Sequence, residues 1–422
     1  MLRPFLVGSL LVIAAPLAAQ DTNPVNLFVA DLRYDRGTVR VGAPVKLTRD
    51  NGSNSQPSFT PDGRAIVFSA RRDSANGDVY RIDLATGTET RVTATPENEN
   101  SPTIGPRGEL MVVRWKPETL FREWGLWEYA AGQPARSILP APDTVGYYTR
   151  IDANTFALMR PATRFTVALF DARTGRTVDI DGPAAPLPPR LIPGARAVSF
   201  TRTDSAGRNQ IRRVELASRR VTPIAATVTG RTSHVWARGD VILMGKGNTL
   251  YAMKPGRDSA WTPVATFDAP DMQNVTAYAV SPRGDRLVLT STARLPLHTA
   301  LRDSIESGLG VAAATERVRA LRAAGGLARY EVSEAGIGGL GSYWLAWGKP
   351  ADAAALFALQ AELFPASYRP HLGLGDAAAA QGDREGAIRH FRRSLELNPR
   401  SSEGDRTAAD RATAEIRKLG GA

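Results

Sequence analysis

The feature that most restricts this chain is a turn that returns about every 44 residues. Thr60-Pro61-Asp62-Gly63 lies between two β-favouring stretches, residues 56–59 and 65–69. Its proline presets φ near the value a tight turn wants, and its glycine accepts the positive φ that sends the chain back. The same pattern recurs as Gly105-Pro106-Arg107-Gly108 and as Ser281-Pro282-Arg283-Gly284, each ahead of an apolar run. Pro61 and Pro106 are about 45 residues apart, and Pro106 and Pro282 are separated by about four such steps. Weaker turn signals fall where the missing steps require them, at Asp152-Ala153-Asn154, Pro193-Gly194 and Arg238-Gly239-Asp240. Six hairpin turns at this period are the mark of four-stranded blades, and they predict a six-bladed β-propeller.

Further strands follow from period-two alternation. Tyr80, Ile82 and Leu84 alternate with Val79, Arg81 and Asp83, and Ala85-Thr86-Gly87 turns the chain into another strand. The last blade breaks off near Pro296 with only its inner hairpin, whereas residues 27–32 and 38–48 form a spare hairpin at the other end. Pairing the two closes the ring and removes its open edges. The units at 55–93, 100–114 and 277–291 resemble the WD40-like repeat of the TolB family, found also ahead of the hydrolase domain of prolyl-oligopeptidase-type enzymes. The resemblance implies the same closed ring. Asp62 is expected to stabilise its own turn.

From about Leu297 the composition turns to alanine, leucine, arginine and glutamate, and helices are expected at 299–307 and 311–323. A second period then emerges: Leu340, Gly341, Gly348, Ala353, Phe357 and Pro365 recur 34 residues on as Leu374, Gly375, Gly382, Ala387, Phe391 and Pro399. Small residues let two helices approach, glycine turns the hairpin, phenylalanine fills it and proline ends it. Asp352 and Asp383 place negative charge at the starts of the second helices. This tail resembles tetratricopeptide repeats, with Trp344 at a usual aromatic position and Ala378 in its place in the second copy. The resemblance implies a shallow peptide- or protein-binding groove capped by a helix at 406–419. The expected organisation is a signal segment (1–19), a propeller (20–297), a helical linker (298–330) and a helical domain of tetratricopeptide type (331–422).

Composition narrows the chemistry. With 43% hydrophobic and 23% charged residues the chain is globular. It has no cysteine, which excludes disulfides, thiolate metal sites and a cysteine nucleophile. Arg3, an apolar stretch over residues 5–15 and Pro16-Leu17-Ala18-Ala19 read as a secretory signal cleaved near Ala19. The expected location is therefore periplasmic or secreted, with no membrane span after cleavage. The net charge is +11, yet the basic residues are scattered pairs such as Arg71-Arg72 and Arg219-Arg220, without a stripe of base-stacking aromatics. Nucleic acid is not the expected partner.

No arrangement of catalytic residues emerges. The four histidines, His234, His298, His371 and His390, have no metal-ligand spacing, and there is neither a Gly-x-Ser-x-Gly elbow nor a Ser-x-x-Lys. The run 239–246 approaches a phosphate loop but has the wrong glycine spacing and Gly247 where Ser or Thr belongs. Asp73-Ser74-Ala75-Asn76-Gly77-Asp78 lacks the closing glutamate of a calcium loop and reads as a strand connection. Neither a metal nor a cofactor is expected. Candidate partner-binding residues are His234, placed on an inner strand where it could line the channel, and the aromatics Trp115, Phe121 and Trp124 of an extended second-blade loop. Arg369 and Asp376, in the second helical repeat, complete the set. The leading expectation is a non-enzymatic scaffold holding a protein or peptide partner in the cell envelope. The alternative is a propeller enzyme or ligand sensor acting on carbohydrate or peptide.

Overall fold

The computed structural model describes residues 23–35, 37–49, 52–72, 76–116, 124–141, 143–161, 165–204 and 208–421; the expected signal segment lies outside them. Five sheets of four antiparallel strands follow one another along the chain. Blade 1 runs Ser53–Phe59, Ala65–Arg71, Asp78–Asp83 and Glu89–Arg91, from the axis outward. Blade 2 runs Asn98–Ile104, Leu110–Trp115, Gly125–Tyr129 and Arg136–Ser137; blade 3 runs Tyr147–Arg150, Thr155–Arg160, Thr166–Asp171 and Arg176–Asp181. Blade 4 comprises Arg190–Leu191, Ala197–Thr203, Asn209–Glu215 and Val221–Ala226, and blade 5 Val235–Ala237, Val241–Lys246, Thr249–Met253 and Thr262–Thr266.

Blade 6 is built from both ends of the ring. Its inner strands are Tyr278–Val280 and Arg286–Ser291, and its outer strands are β1 (Asn26–Asp35) and β2 (Thr38–Val41). β1 lies antiparallel to the second strand, in register from Asn26 opposite Ser291 to Asp31 opposite Arg286. Asn23 adds a reciprocal clasp: its Nδ2 donates to Arg294 O at 3.0 Å, and Arg294 N donates to its Oδ1 at 2.9 Å. The expected closure is therefore the one the molecule uses, and it leaves the ring no open edge.

The glycines of the repeating turn have positive φ, 70° at Gly63 and 69° at Gly284, where a side chain would be strained. Asp62 accepts from Thr60 Oγ1 at 2.6 Å and from Arg64 N at 3.0 Å, so it stabilises its own turn. The second strand of each blade is flanked by neighbouring blades, and residues 65–70 are consequently buried on both faces. The core lies between blades: Leu27, Phe59, Ile66, Phe68 and Val288 fill the contact between blades 6 and 1. Met111, Leu126, Phe156 and Phe170 do so between blades 2 and 3.

Beyond the ring, seven α-helices are found among the described residues. They are α1 (Leu297–Ser304), α2 (Val311–Ala323), α3 (Glu334–Ala346), α4 (Pro350–Leu363), α5 (Arg369–Ala380), α6 (Arg384–Leu397) and α7 (Glu403–Lys418). α1 starts two residues before the expected position and passes into a π-helical turn at Ile305–Leu309; α2 has the expected bounds. α3 with α4, and α5 with α6, are hairpins turned at Gly348 and Gly382, with φ of 70° and 80°. Phe357 packs against Gly341 and Gly373, and Phe391 against Gly375. Asp383 caps α6 by accepting from Gly386 N at 2.8 Å, whereas Asp352 lies within the first turn of α4.

The helices meet the propeller at blades 4 and 5. Arg231 pairs with Asp303 at 2.7 Å, and Asn209 Nδ2 donates to Glu306 at 3.3 Å. Asn209 begins a strand whose partner starts at the repeating turn, so this contact lies on the face opposite those turns. The other face, carrying the turns, is left to the mouth of the channel. No helix among the described residues is long and apolar enough to cross a membrane.

Candidate functional site: the axial channel

The inner strands of blades 1–4 and 6, with Ser233 ahead of that of blade 5, line a channel of about 810 Å³, open toward the face that carries the repeating turns. That size is within the range of ligand pockets. Its wall is largely hydroxyl and apolar: Ser58, Thr103, Thr149 and Thr276 alternate with Pro57, Pro102 and Pro189. Leu191 is 42% exposed and stands at the mouth, an apolar side chain left in solvent.

Two bulges re-aim the wall. The inner strands of blades 1 and 2 lose register between Ser55 and Ser58 and between Asn100 and Thr103. Gln56 and Ser101 occupy these bulges with φ of 53° and 54°, a region that costs a non-glycine residue about 1 kcal/mol or more. What the strain holds is a polar link between blades. Ser101 N donates to Gln56 Oε1 at 2.6 Å, and Gln56 also hydrogen-bonds the phenol of Tyr147, whose pKa burial raises. Bulges of this kind direct side chains toward sites.

The charge in the channel is uneven. Arg150 is spent on Glu109, at 2.6 Å, and Asp152 accepts from the backbone of its own turn at Asn154 and Thr155. Arg190 differs. From blade 4 it reaches past blade 5 to donate from Nη2 to Tyr278 O of blade 6, at 3.4 Å. Among the described residues no carboxylate pairs with it. Burial lowers its pKa to about 10, which still leaves the guanidinium charged at neutral pH.

His234 is placed otherwise than as a channel residue. It was expected on the inner strand of blade 5 but lies one residue ahead of it, and its ring turns away from the channel into the contact with blade 4 and is only 4% exposed. Its Nε2 meets Ser199 Oγ at 2.8 Å, and Ser199 in turn accepts from Trp236 Nε1 at 2.8 Å. Burial foremost, then the charge of Arg190, push its pKa down to about 3, so the ring is neutral. Because Ser199 is fully buried, this serine–histidine pair is closed to a substrate.

The remaining candidates are dispersed. Trp115 and Trp124 stack with centroids 4.8 Å apart at 23°, at the end of blade 2 away from the repeating turns, and Phe121 lies outside the described residues. Arg369 pairs with Glu334 at 3.3 Å and lies over Tyr368, and Asp376 binds Arg411 at 2.5 Å. Both charges thus tie helices together. No group of three or more metal-ligating side chains occurs among the described residues. The residues 239–246 form a turn and a strand, not a phosphate loop. Arg190, Gln56 and Tyr147 were not singled out by sequence; the available signal was that inner strands expected to face one channel carry a cation without a matching acid.

A closed six-bladed ring with an axial channel and appended helical hairpins makes this a six-bladed β-propeller protein. No protein-family model and no curated protein matches the sequence. Similar solved structures include a putative TolB from Agrobacterium tumefaciens, at 17% identity and a TM-score of 0.48, covering 64% of this chain and 99% of that one. TolB from Acinetobacter baumannii is 12% identical with a TM-score of 0.42, covering 63% of each chain. An oligogalacturonate lyase in complex with manganese is 13% identical with a TM-score of 0.42, covering 64% of this chain and 83% of that one. At these identities the likeness is one of fold alone.

Proposed function

We propose that the chain is an exported, non-enzymatic interaction scaffold, which receives a segment of a protein partner at the mouth of its channel in the cell envelope. The observation that supports the reading best is the chemistry of that channel. It has the volume of a binding site and an exposed apolar residue at its rim, Leu191, yet the carboxylate in its lining, Asp152, is engaged by its own turn and His234 is buried. General acid–base work needs a titratable pair within reach of substrate. Binding needs only shape, apolar surface and a few placed polar groups. The hairpins α3–α4 and α5–α6, read as tetratricopeptide repeats, would offer a second surface to the same partner.

Site-specific photo-crosslinking in cells tests this. A photoreactive phenylalanine analogue at Leu191 is expected to give a discrete adduct with an envelope protein, and the same analogue at Val92, exposed on the outside of blade 1, is not. Absence of any adduct from the mouth, together with turnover of a peptide or saccharide by the purified protein, would sink the reading.

A further inference from the structure

The wall of the channel contains one charge that the fold does not answer. Arg190 directs its guanidinium across blade 5 to the backbone of blade 6, and that 3.4 Å contact to Tyr278 O is the one hydrogen bond its side chain makes among the described residues. The other charges nearby are committed: Arg150 to Glu109, and Asp152 to its own turn. Arg190 is half-buried, and a cation partly withdrawn from water without a counter-charge carries a desolvation cost that proteins ordinarily offset by pairing it. Retaining it inside a space of about 810 Å³ leaves room for the missing anion to come from elsewhere. The surroundings also select the kind of anion. A single planar guanidinium offers two parallel N–H donors that match the two oxygens of a carboxylate, and its one positive charge balances that monoanion fully but a phosphate dianion only in part. Hydroxyls of Thr149 and Thr276 and the phenol of Tyr147 line the same space and can serve the amides or hydroxyls of whatever carries the carboxylate.

We propose that the axial channel binds a carboxylate-bearing ligand, its carboxylate held in a bidentate contact by the guanidinium of Arg190. This rests on the binding-protein reading above and names the chemistry of what is bound. The carboxylate can belong to a peptide or to an acidic sugar, and the two are separated by the choice of probe.

The test uses the full chain and three probes: the tripeptide acetyl-Ala-Ala-Ala with a free C-terminus, its C-terminal amide, and glucuronate. Binding is measured by calorimetry and by the rise in melting temperature with probe concentration. The free acid is expected to bind at least about tenfold more tightly than the amide, a loss in keeping with removal of one charge-assisted pair. Arg190→Met and Arg190→Gln are expected to bring the acid down to the level of the amide. Arg190-dependent binding of glucuronate in place of the tripeptide supports the site and assigns it to a saccharide. Without any probe, Arg190→Met is expected to melt higher than wild type, since the unpaired charge is gone. Equal affinity for acid and amide, unchanged affinity in both Arg190 variants, or no carboxylate binding to wild type overturns the proposal. If adducts at Leu191 persist in any of those cases, the scaffold reading stands and only the carboxylate site falls.

Discussion

Gly375 lies in the middle of α5, where alanine would ordinarily stabilise the helix by about 1 kcal/mol. Here the reverse is expected. A Cβ at this position would lie 2.5, 2.6 and 2.8 Å from three carbons of the Phe391 ring, far inside the ~3.5–4.0 Å of carbon–carbon contact. The ring cannot yield cheaply: Phe391 is 0% exposed, enclosed with Ala378, Ala387, Ala412 and Ile416. Relieving the overlap needs a shift of about 1 Å, and overpacking of this size costs about 1–3 kcal/mol. Set against the helix gain, Gly375→Ala should destabilise the helical region by up to about 2 kcal/mol. Gly339 supplies the control, because it is exposed on α3 and a Cβ there meets nothing within 4 Å. Gly339→Ala should therefore stabilise by up to about 1 kcal/mol.

Urea unfolding followed by circular dichroism at the helical band reports on α1–α7 with little contribution from the blades. The two alanine variants should shift the midpoint in opposite directions. Phe391→Leu should partly rescue Gly375→Ala, giving a coupling energy of about 1 kcal/mol in a double-mutant cycle. If Gly375→Ala proves as stabilising as Gly339→Ala, the close glycine–phenylalanine contact is refuted, and the small-residue logic of the repeat with it.

Three further outcomes are expected. Burial raises Glu306 to a pKa of about 7 from an unfolded value of 4.5, so its contribution is fully present below pH 4.5 and is lost as pH rises through 7. Glu306→Gln should match wild type near pH 4.5 and exceed it by up to about 3 kcal/mol above pH 7; equal stabilities at pH 8 would refute this. His234 has the opposite sign: the unfolded ring takes up a proton near 6.5, the folded one only near 3, so stability falls as pH drops between those values. Wild type should lose stability more steeply than His234→Asn over pH 6.5–4.5, by about 1.4 kcal/mol per unit at most, and parallel profiles would exclude the effect. Phe28, 3% exposed on β1, fills the contact between blades 5 and 6; Phe28→Ala should cost about 3–5 kcal/mol and accelerate hydrogen exchange at 287–290. Undisturbed exchange there would mean that β1 does not close the ring.

Much of the architecture was legible because backbone constraints repeat. Proline and glycine at 61 and 63, 106 and 108, and 282 and 284 act locally, so their spacing survives whatever the blades pack against. Ring closure could be inferred for the same reason, as a count of hairpins with one left over at each end. The channel was far less legible. Its decisive strand, Arg190–Leu191, is two residues long and follows a proline-rich stretch, so there is no alternation from which to read which side faces the axis. His234 shows the limit from the other side: its strand was anticipated, but its orientation depends on a hydrogen bond to Ser199, 35 residues away. The docking of Glu306 on Asn209 is hidden likewise, since it depends on how two separately folded patterns meet.

The shared sixth blade also sets an order of events. β1 leaves the ribosome well before it can take its place in the ring, because residues 286–291 follow it by about 260 residues. At roughly 5–20 residues per second, that is a wait of roughly 13 to 50 seconds in which the edge of β1 opposite β2 stays bare. During this interval the nascent chain carries a strand ready to accept any passing edge, and its own sequence supplies the rightful one only at the end. Whatever shields that edge in the meantime acts on the step that closes this ring.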